Sequence, residues 1–318
     1  MIELLIGHGD KLFYPVVQDG IDWSLERKGV PGKLTFKVMY DPASPFEEGD
    51  PVRFGMDGNN LFYGYIFSKK RSKDNIFDVT AYDQLRYLKN KDCYIYQGKT
   101  ASDVVKMLAD DFGLKTGELE NTGFVIPMRS EKDKTLFDII QTALDITMQN
   151  TGKLFVLYDD FGKLTLKNTA DMKLNLLIDE TAAENYDYTT SIDGETYNQI
   201  KLTYDNTKTG IRDVYLTRDS ANINQWGLLQ YHESIDEKVN GQAKAEALLK
   251  LYNRKTRNLS IKNAFGDTRI RAGCYLPVIL QFDDLKLQNY MLVEKVKHTF
   301  KDELHVMDLT LKGAGIDG

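Results

Sequence analysis

The residues able to carry chemistry in this chain are few and scattered. Its four histidines are His8, His232, His298 and His305. His298 and His305 fall on two strands predicted to be neighbours, so they could approach across a sheet. A zinc site would need a third ligand and a frame such as HExxH, which is absent. Asp159-Asp160 and Asp283-Asp284 are paired carboxylates, the residue type of glycosidase and calcium chemistry. Each falls in a predicted hairpin turn, where Asp is favoured because its side chain bonds the local backbone. No calcium-loop spacing surrounds them, and a turn tip supplies no cleft for a glycosidase. Cys93 and Cys274 lie far apart without a CxxC or a neighbouring His, and read as unpaired thiols. Gly7-His8-Gly9 is too short for a phosphate loop, and no GxSxG elbow is present. The run Lys69-Lys70-Arg71-Ser72-Lys73 reads as a solvated hairpin end, with an acidic partner or passing nucleic acid as the alternative. No active site, metal or cofactor is expected.

Composition narrows the class. With 318 residues the chain has length for about two or three domains. Hydrophobic content of 42% and charged content of 28% are those of an ordinary globular protein. A net charge of −6 argues against a dedicated nucleic-acid binder, which concentrates Lys and Arg on one face. Tyr and Phe number 18 and 15 against two Trp, as in strand-rich chains. No apolar run approaches the ~18–20 residues of a membrane span, and the N-terminus has no signal-peptide core, so a soluble cytoplasmic product is expected.

The elements that must position these residues centre on Pro45–Asp83. Three strands are predicted there, at Val52–Phe54, Leu61–Phe67 and Ile76–Tyr82. Gly58-Asn59-Asn60 is the first turn and Lys69–Asn75 a charged second one. In the third strand Phe77, Val79 and Ala81 alternate with Asp78, Thr80 and Tyr82, giving one buried face. The middle strand is apolar on both faces, so it needs cover from its own barrel and from something else. Upstream, strands are expected at Ile2–Ile6, Leu12–Val17, Ile21–Glu26 and Lys33–Tyr40, roughly enough to close a barrel.

After Gln97 the period becomes helical. Thr100 is an N-cap with Asp103 in the capping-box position, and Thr135 with Asp138 repeats the signal. A hairpin follows at Leu154–Tyr158 and Lys163–Lys167. Strands resume at Asn198–Tyr204, Arg212–Arg218 and Leu228–Glu233, and Asn240 caps another helix. The C-terminus then echoes Pro45–Asp83: Gly49 corresponds to Gly273, Phe62–Phe67 to Tyr290–Val296, and Phe77–Ala81 to Met307–Leu311. The expected fold is mainly β with an α+β insertion: two similar tube-like antiparallel β-barrels flanking a small helix-helix-hairpin unit. The barrels take 1–97 and 179–318, the latter with an inserted helix near 241–256, and the α+β unit takes 98–178.

Several of these stretches resemble a known family. Gly49-Asp50-Pro51-Val52, Leu61–Ile66 and Val79–Asp83 resemble the first tube domain of phage baseplate hub proteins. Tyr96–Val105 is similar to the hub linker, and Gly266–Gly273 followed by Leu292–His298 to the closing barrel. The resemblance is greatest to XkdQ-like hubs of contractile-tailed phages, defective prophages and phage-tail-like bacteriocins; late control protein D hubs and type VI spike bases are more distant. It implies a non-enzymatic trimer in a virion or tail-like particle. Six tube units would meet the hexameric tail tube on one side and a trimeric spike on the other. The middle unit would meet other baseplate proteins. Since the sequence ends at Gly318 without a spike or lysozyme-like extension, the puncturing device is expected on another polypeptide. Phe62, Tyr63, Tyr65 and Ile66 become candidate assembly contacts, with Lys69, Lys70 and Arg71 in a tube- or spike-facing loop. The competing reading is a tail-associated cell-wall hydrolase or carbohydrate-binding module. The first needs a convergent acid–base or nucleophile set, which is not found; the second needs an exposed aromatic face, whereas these aromatics follow core alternation.

Overall fold

The computed structural model describes residues 1–72, 74–179, 184–206, 210–235, 239–281, 286–301 and 304–313; Asp283-Asp284 and Lys73 lie outside them. Strands form first where apolar and polar residues alternate: β1 (Ile2–His8), β2 (Lys11–Phe13), β3 (Val17–Glu26) and β4 (Lys33–Met39). In β4 Leu34, Phe36 and Val38 are buried, as the period-2 pattern requires. β5 (Pro51–Met56), β6 (Asn59–Arg71) and β7 (Ile76–Tyr82) add the meander. Its first turn is Asp57-Gly58, whose φ values of 52° and 78° match the twist of a two-residue hairpin. Asn59 already pairs with Met56, so the turn lies earlier than Gly58-Asn59-Asn60. Lys69, Lys70 and Arg71 are strand residues, not a loop: a bulge after Ile66 lets β6 stay paired with β7 as far as Phe77.

A short 3-10 helix at Gln84–Lys89 leads into the middle unit. It comprises β8 (Lys91–Tyr96), α1 (Ala101–Asp111), β9 (Thr116–Leu119), β10 (Arg129–Thr135), α2 (Leu136–Thr151), β11 (Phe155–Asp159) and β12 (Leu164–Asn168). Thr100 and Asp103 complete a reciprocal capping box, and Thr135 caps α2 through the Asp138 backbone N–H. Val104, Val105 and Leu108 of α1 pack with Ile139, Ile140 and Ala143 of α2 over Phe155, Leu164 and Leu166.

β13 (Asn185–Ser191) returns to the main sheet, and an insertion follows: β14 (Gln199–Asn206), β15 (Ile211–Arg218), α3 (Ser220–Trp226), β16 (Gln230–Ser234) and α4 (Gly241–Tyr252). These strands, expected to help build the second barrel, pair with one another in the order β15-β14-β16. Ile200, Leu202, Ala245 and Leu248 give them a core of their own. The reason is α4, whose apolar stripe packs over β14 and buries Ile200 and Leu202 within the insertion.

The chain ends with β17 (Thr256–Phe265), β18 (Tyr275–Gln281), β19 (Lys286–Lys301) and β20 (Leu304–Gly313). Among the described residues the two halves do not form separate closed barrels. They share one open twelve-stranded sheet, ordered β13-β17-β20-β19-β3-β4-β7-β6-β5-β1-β2 with β18 also on β19. β19 makes this possible by its length. Its first part pairs with β18, and its last part pairs with β3. The sheet wraps two cores, one around Leu34, Phe36, Phe54 and Phe62, the other around Ile261, Leu276, Val293 and Leu309.

Hydrogen bonding brings out the repeat. Gly49 N donates to Ile66 O and Gly273 N to Val293 O, both at 2.8 Å, with φ of 97° and 98° at the two glycines. Ile66 faces Ala81 and Val293 faces Leu311; one bulged residue follows each, Phe67 or Glu294. Lys70 then faces Asp78, and Lys297 faces Asp308. Phe77–Ala81 therefore matches Met307–Leu311 residue for residue, whereas Phe67 takes the place of Glu294 and not of Val296. The same facing pairs extend the match to β4 with β17, Leu34-Thr35-Phe36 on Leu259-Ser260-Ile261. Beyond them β3 matches β13, with Asp22-Trp23 on Asp187-Tyr188.

Phe300 tests the fusion of the halves. It lies on β19 but is fully buried in the N-terminal core, with ring centroids 5.0 Å from Phe54. Phe300→Ala is expected to cost about 3–5 kcal/mol, read in urea by Trp23 fluorescence. A loss under about 1 kcal/mol would mean that the N-terminal core does not depend on β19.

Candidate assembly interface

The best-built contact between the two repeats is the β3–β19 junction. Lys295 faces Glu26, Lys297 faces Ser24, His298 faces Trp23 and Thr299 faces Asp22. On the outer side Lys297 pairs with Asp22 at 3.0 Å and Lys295 with Glu26 at 2.9 Å, while Thr299 Oγ1 donates to Asp22 Oδ1 at 2.7 Å. Arg27 closes the end of the row with two bonds to Glu294, at 2.9 and 2.8 Å. Such a two-pronged guanidinium–carboxylate pair fixes register as well as charge. On the inner side Trp23 stacks on His298 with centroids 5.0 Å apart.

His298 and His305 do meet, with Nδ1 and Nε2 at 3.0 Å, and the other His298 nitrogen donates to Ile270 O at 2.9 Å. Burial, then the neighbouring His305, push the His298 pKa down to about 3. This is a neutral, hydrogen-bonded ring in a core. Among the described residues no group of three His, Cys, Asp or Glu is placed to hold a metal ion.

The residues singled out on β6 separate into two sets. Phe62 and Ile66 are 2% and 1% exposed and belong to the N-terminal core, so they present nothing to a partner. The outward face of β6 is covered by the chain itself: Tyr63 packs on Phe161 of the β11–β12 turn, and Tyr65 and Phe67 pack on Tyr87. A hydrogen bond with Tyr63, then burial, raise the Tyr65 pKa to about 12. The second cover that the apolar pattern demanded is therefore the Gln84–Lys89 turn together with the middle unit. Lys69 donates to Phe46 O at 2.8 Å, and the Arg71 guanidinium lies 4.9 Å from the Tyr40 ring centroid. Lys70 is exposed.

A buried polar cluster holds the middle unit against both repeats. Asp83 accepts from Gly32 N at 2.9 Å; Asp159 accepts from Gly162 N at 2.6 Å; Arg271 donates to Asp159 O at 2.8 Å and lies 3.8 Å over the Tyr158 ring. Asp159 is thus an inward structural carboxyl and not a free turn tip. Burial raises the Asp83 pKa well above the usual value and the Asp159 pKa to about 6. A cleft of about 590 Å³ lies between α2, α4 and the junction, lined by residues of both charges such as Arg27, Asp145, Arg254 and Glu294. Sequence reasoning missed Asp22 and Lys297, because a charged residue on the wet face of a strand looks like any other.

Residues 21–312, nearly the whole sheet with both repeats and the insertion, match the sequence profile of the YqbQ-like family. The chain belongs to the YqbQ-like family. It is 30% identical over 331 residues to YqbQ of Bacillus subtilis (strain 168), covering 100% of this chain and 99% of that one. It is 31% identical over 269 residues to the phage-like element PBSX protein XkdQ of the same strain, covering 82% and 81%. Among solved structures, the 43 kDa tail protein of prophage MuSo2 from Shewanella oneidensis superposes with a TM-score of 0.70 at 14% identity, covering 97% and 98% of the two chains. That likeness shows the shared fold. Among the described residues of this YqbQ-like chain, no helix is long and apolar enough to cross a membrane.

The cluster and the histidine pair predict opposed pH effects. Burial raises the Asp159 pKa above its unfolded value, so the folded state holds the proton more tightly. The stability this contributes is complete below about pH 4 and is lost as pH rises through about 6. His298 is depressed, so its contribution is complete above about pH 6.5 and is lost as pH falls toward 3. Asp159→Asn should therefore shrink the loss seen between pH 4 and 7, with the share of Asp83 remaining, and leave the acid-side loss. Urea midpoints across that range check this, and an unchanged profile contradicts it.

Proposed function

We propose that this chain is a structural baseplate hub of a contractile tail, a trimer that joins the hexameric tail tube to a trimeric spike. The observation that carries the reading is the internal repeat, matched in strand order, glycine anchors and bulge position. Three chains with two like units each present six to a six-fold tube and three-fold symmetry to a spike. The family relationship and the PBSX relative support a tail particle as the setting. The division into 1–97, 98–178 and 179–318 serves this reading, with the middle unit and the 199–252 insertion on the outside, toward other baseplate proteins.

No catalytic step is assigned to the chain. Asp159 is held inward by the Arg271 cluster, and His298 is a buried, neutral ring whose partner is the half-buried His305. A hub of this kind contributes shape, charge and register.

Light scattering on the full chain, alone and with its neighbouring spike protein, tests the proposal. A trimer has three times the 36.4 kDa of one chain, about 109 kDa. That mass, with three-fold symmetry by imaging, is the expected result in at least one sample. A monomer in both overturns the hub reading. Hydrolysis of purified cell walls that is lost on Asp159→Asn with Asp160→Asn would replace it with an enzyme.

A further inference from the structure

The cleft of about 590 Å³ beside the β3–β19 junction has no part in the roles assigned above. Three regions of the molecule meet around it: the C-terminal end of α2, the C-terminal end of α4, and the main sheet near Arg27, Tyr275 and Lys312. Its size falls within the roughly 300–1,000 Å³ of pockets that enclose a compact ligand.

The charge of the cleft is opposite to that of the chain. The whole protein carries a net −6, yet six cations and three carboxylates line this one concavity. Each carboxylate already has a cation of its own. Asp145 meets Lys28 at 3.5 Å, Glu195 meets Lys312 at 3.1 Å and Glu294 meets Arg27 at 2.8 Å. Lys250 and Lys255 are exposed and have no acidic partner among the described residues. The surplus is felt by the acid inside the cleft. Burial acts to raise the Glu195 pKa, but Lys312, then Lys28 and Arg27, hold it below its ordinary value.

Between these charges the wall is apolar. Tyr275 and Leu292 are each 5% exposed on the sheet side, and Met148, Leu154 and Leu251 line the cleft half-buried. A bare inorganic anion would satisfy the lysines and leave that wall wet. A peptide with carboxylates on either side of an apolar residue satisfies both at once.

We infer that this cleft is the docking site for a short acidic segment of another protein, with an apolar side chain seated between its carboxylates. The inference goes beyond the hub reading and does not depend on how many copies assemble. Lys250 and Lys255 supply attraction and orientation, while water released from the apolar wall supplies affinity. The segment touches α2 of the middle unit, α4 of the insertion and the sheet together. Gln149 of α2 already bonds the Tyr252 side chain at the end of α4. Binding therefore stabilises the arrangement of all three by mass action.

The test pans a displayed library of random heptapeptides against the full chain and counter-selects on Lys250→Glu with Lys255→Glu. Both lysines are exposed, and an unchanged urea midpoint checks that the variant folds. Enriched peptides should combine several Asp or Glu with a Leu, Phe or Tyr. By fluorescence anisotropy they should bind the variant about tenfold more weakly. Met148→Ala, which trims the apolar wall, should weaken them about threefold. Absence of acidic enrichment, or binding indifferent to the two lysines, overturns the proposal. Full competition by millimolar inorganic phosphate also overturns it and makes the cleft a site for small anions. An altered oligomeric mass of the double variant overturns it by giving these lysines to contacts between copies. The hub reading stands in each of these cases.

Discussion

The structure depends on one strand being long enough to serve both halves of one sheet. β19 begins against β18 in the C-terminal repeat and ends against β3 in the N-terminal one. Its backbone bonds are indifferent to which repeat they join, so specificity comes from the side chains along the row. Asp22, Lys297, Thr299 and the Arg27–Glu294 fork hold the wet face, while Trp23, His298 and Phe300 hold the dry one. A slip by one residue would turn Phe300 and His298 out to water and bring Lys297 into the core. The junction is therefore held in one register by its burial pattern, and the ion pairs on its surface only refine it.

The middle unit is placed by a different kind of force. Asp83, Asp159 and Arg271 come from three separate parts of the chain and meet out of water, where an unpaired charge is expensive. They lie where the 3-10 turn, the β11–β12 hairpin and the start of the C-terminal meander converge. Around them Tyr63, Tyr65 and Phe67 lay the outer face of β6 against Phe161 and Tyr87. Polar groups position this contact, and aromatic area supplies most of its stabilisation.

Much of this was legible in the sequence. Period-2 alternation placed the strands of both meanders, because burial of one face is written residue by residue. Thr100, Thr135 and Asn240 announced their helices, because a cap is satisfied within a few residues. Gly49 and Gly273 marked the repeat, because each must take a left-handed backbone at the entry to a strand. The doubly apolar β6 correctly demanded a second cover. What covers it was decided only by the tertiary structure, which supplies Tyr87 and Phe161 where a neighbouring subunit was expected. The tertiary structure also decided that strands 199–234 form their own sheet, that Lys69–Arg71 continue a strand, and that β19 crosses between repeats. The physical reason is the same in each case. Local pattern tells which face of a strand is dry, but a strand edge offers the same row of N–H and C=O groups to every candidate, and only the assembled chain determines which one takes it.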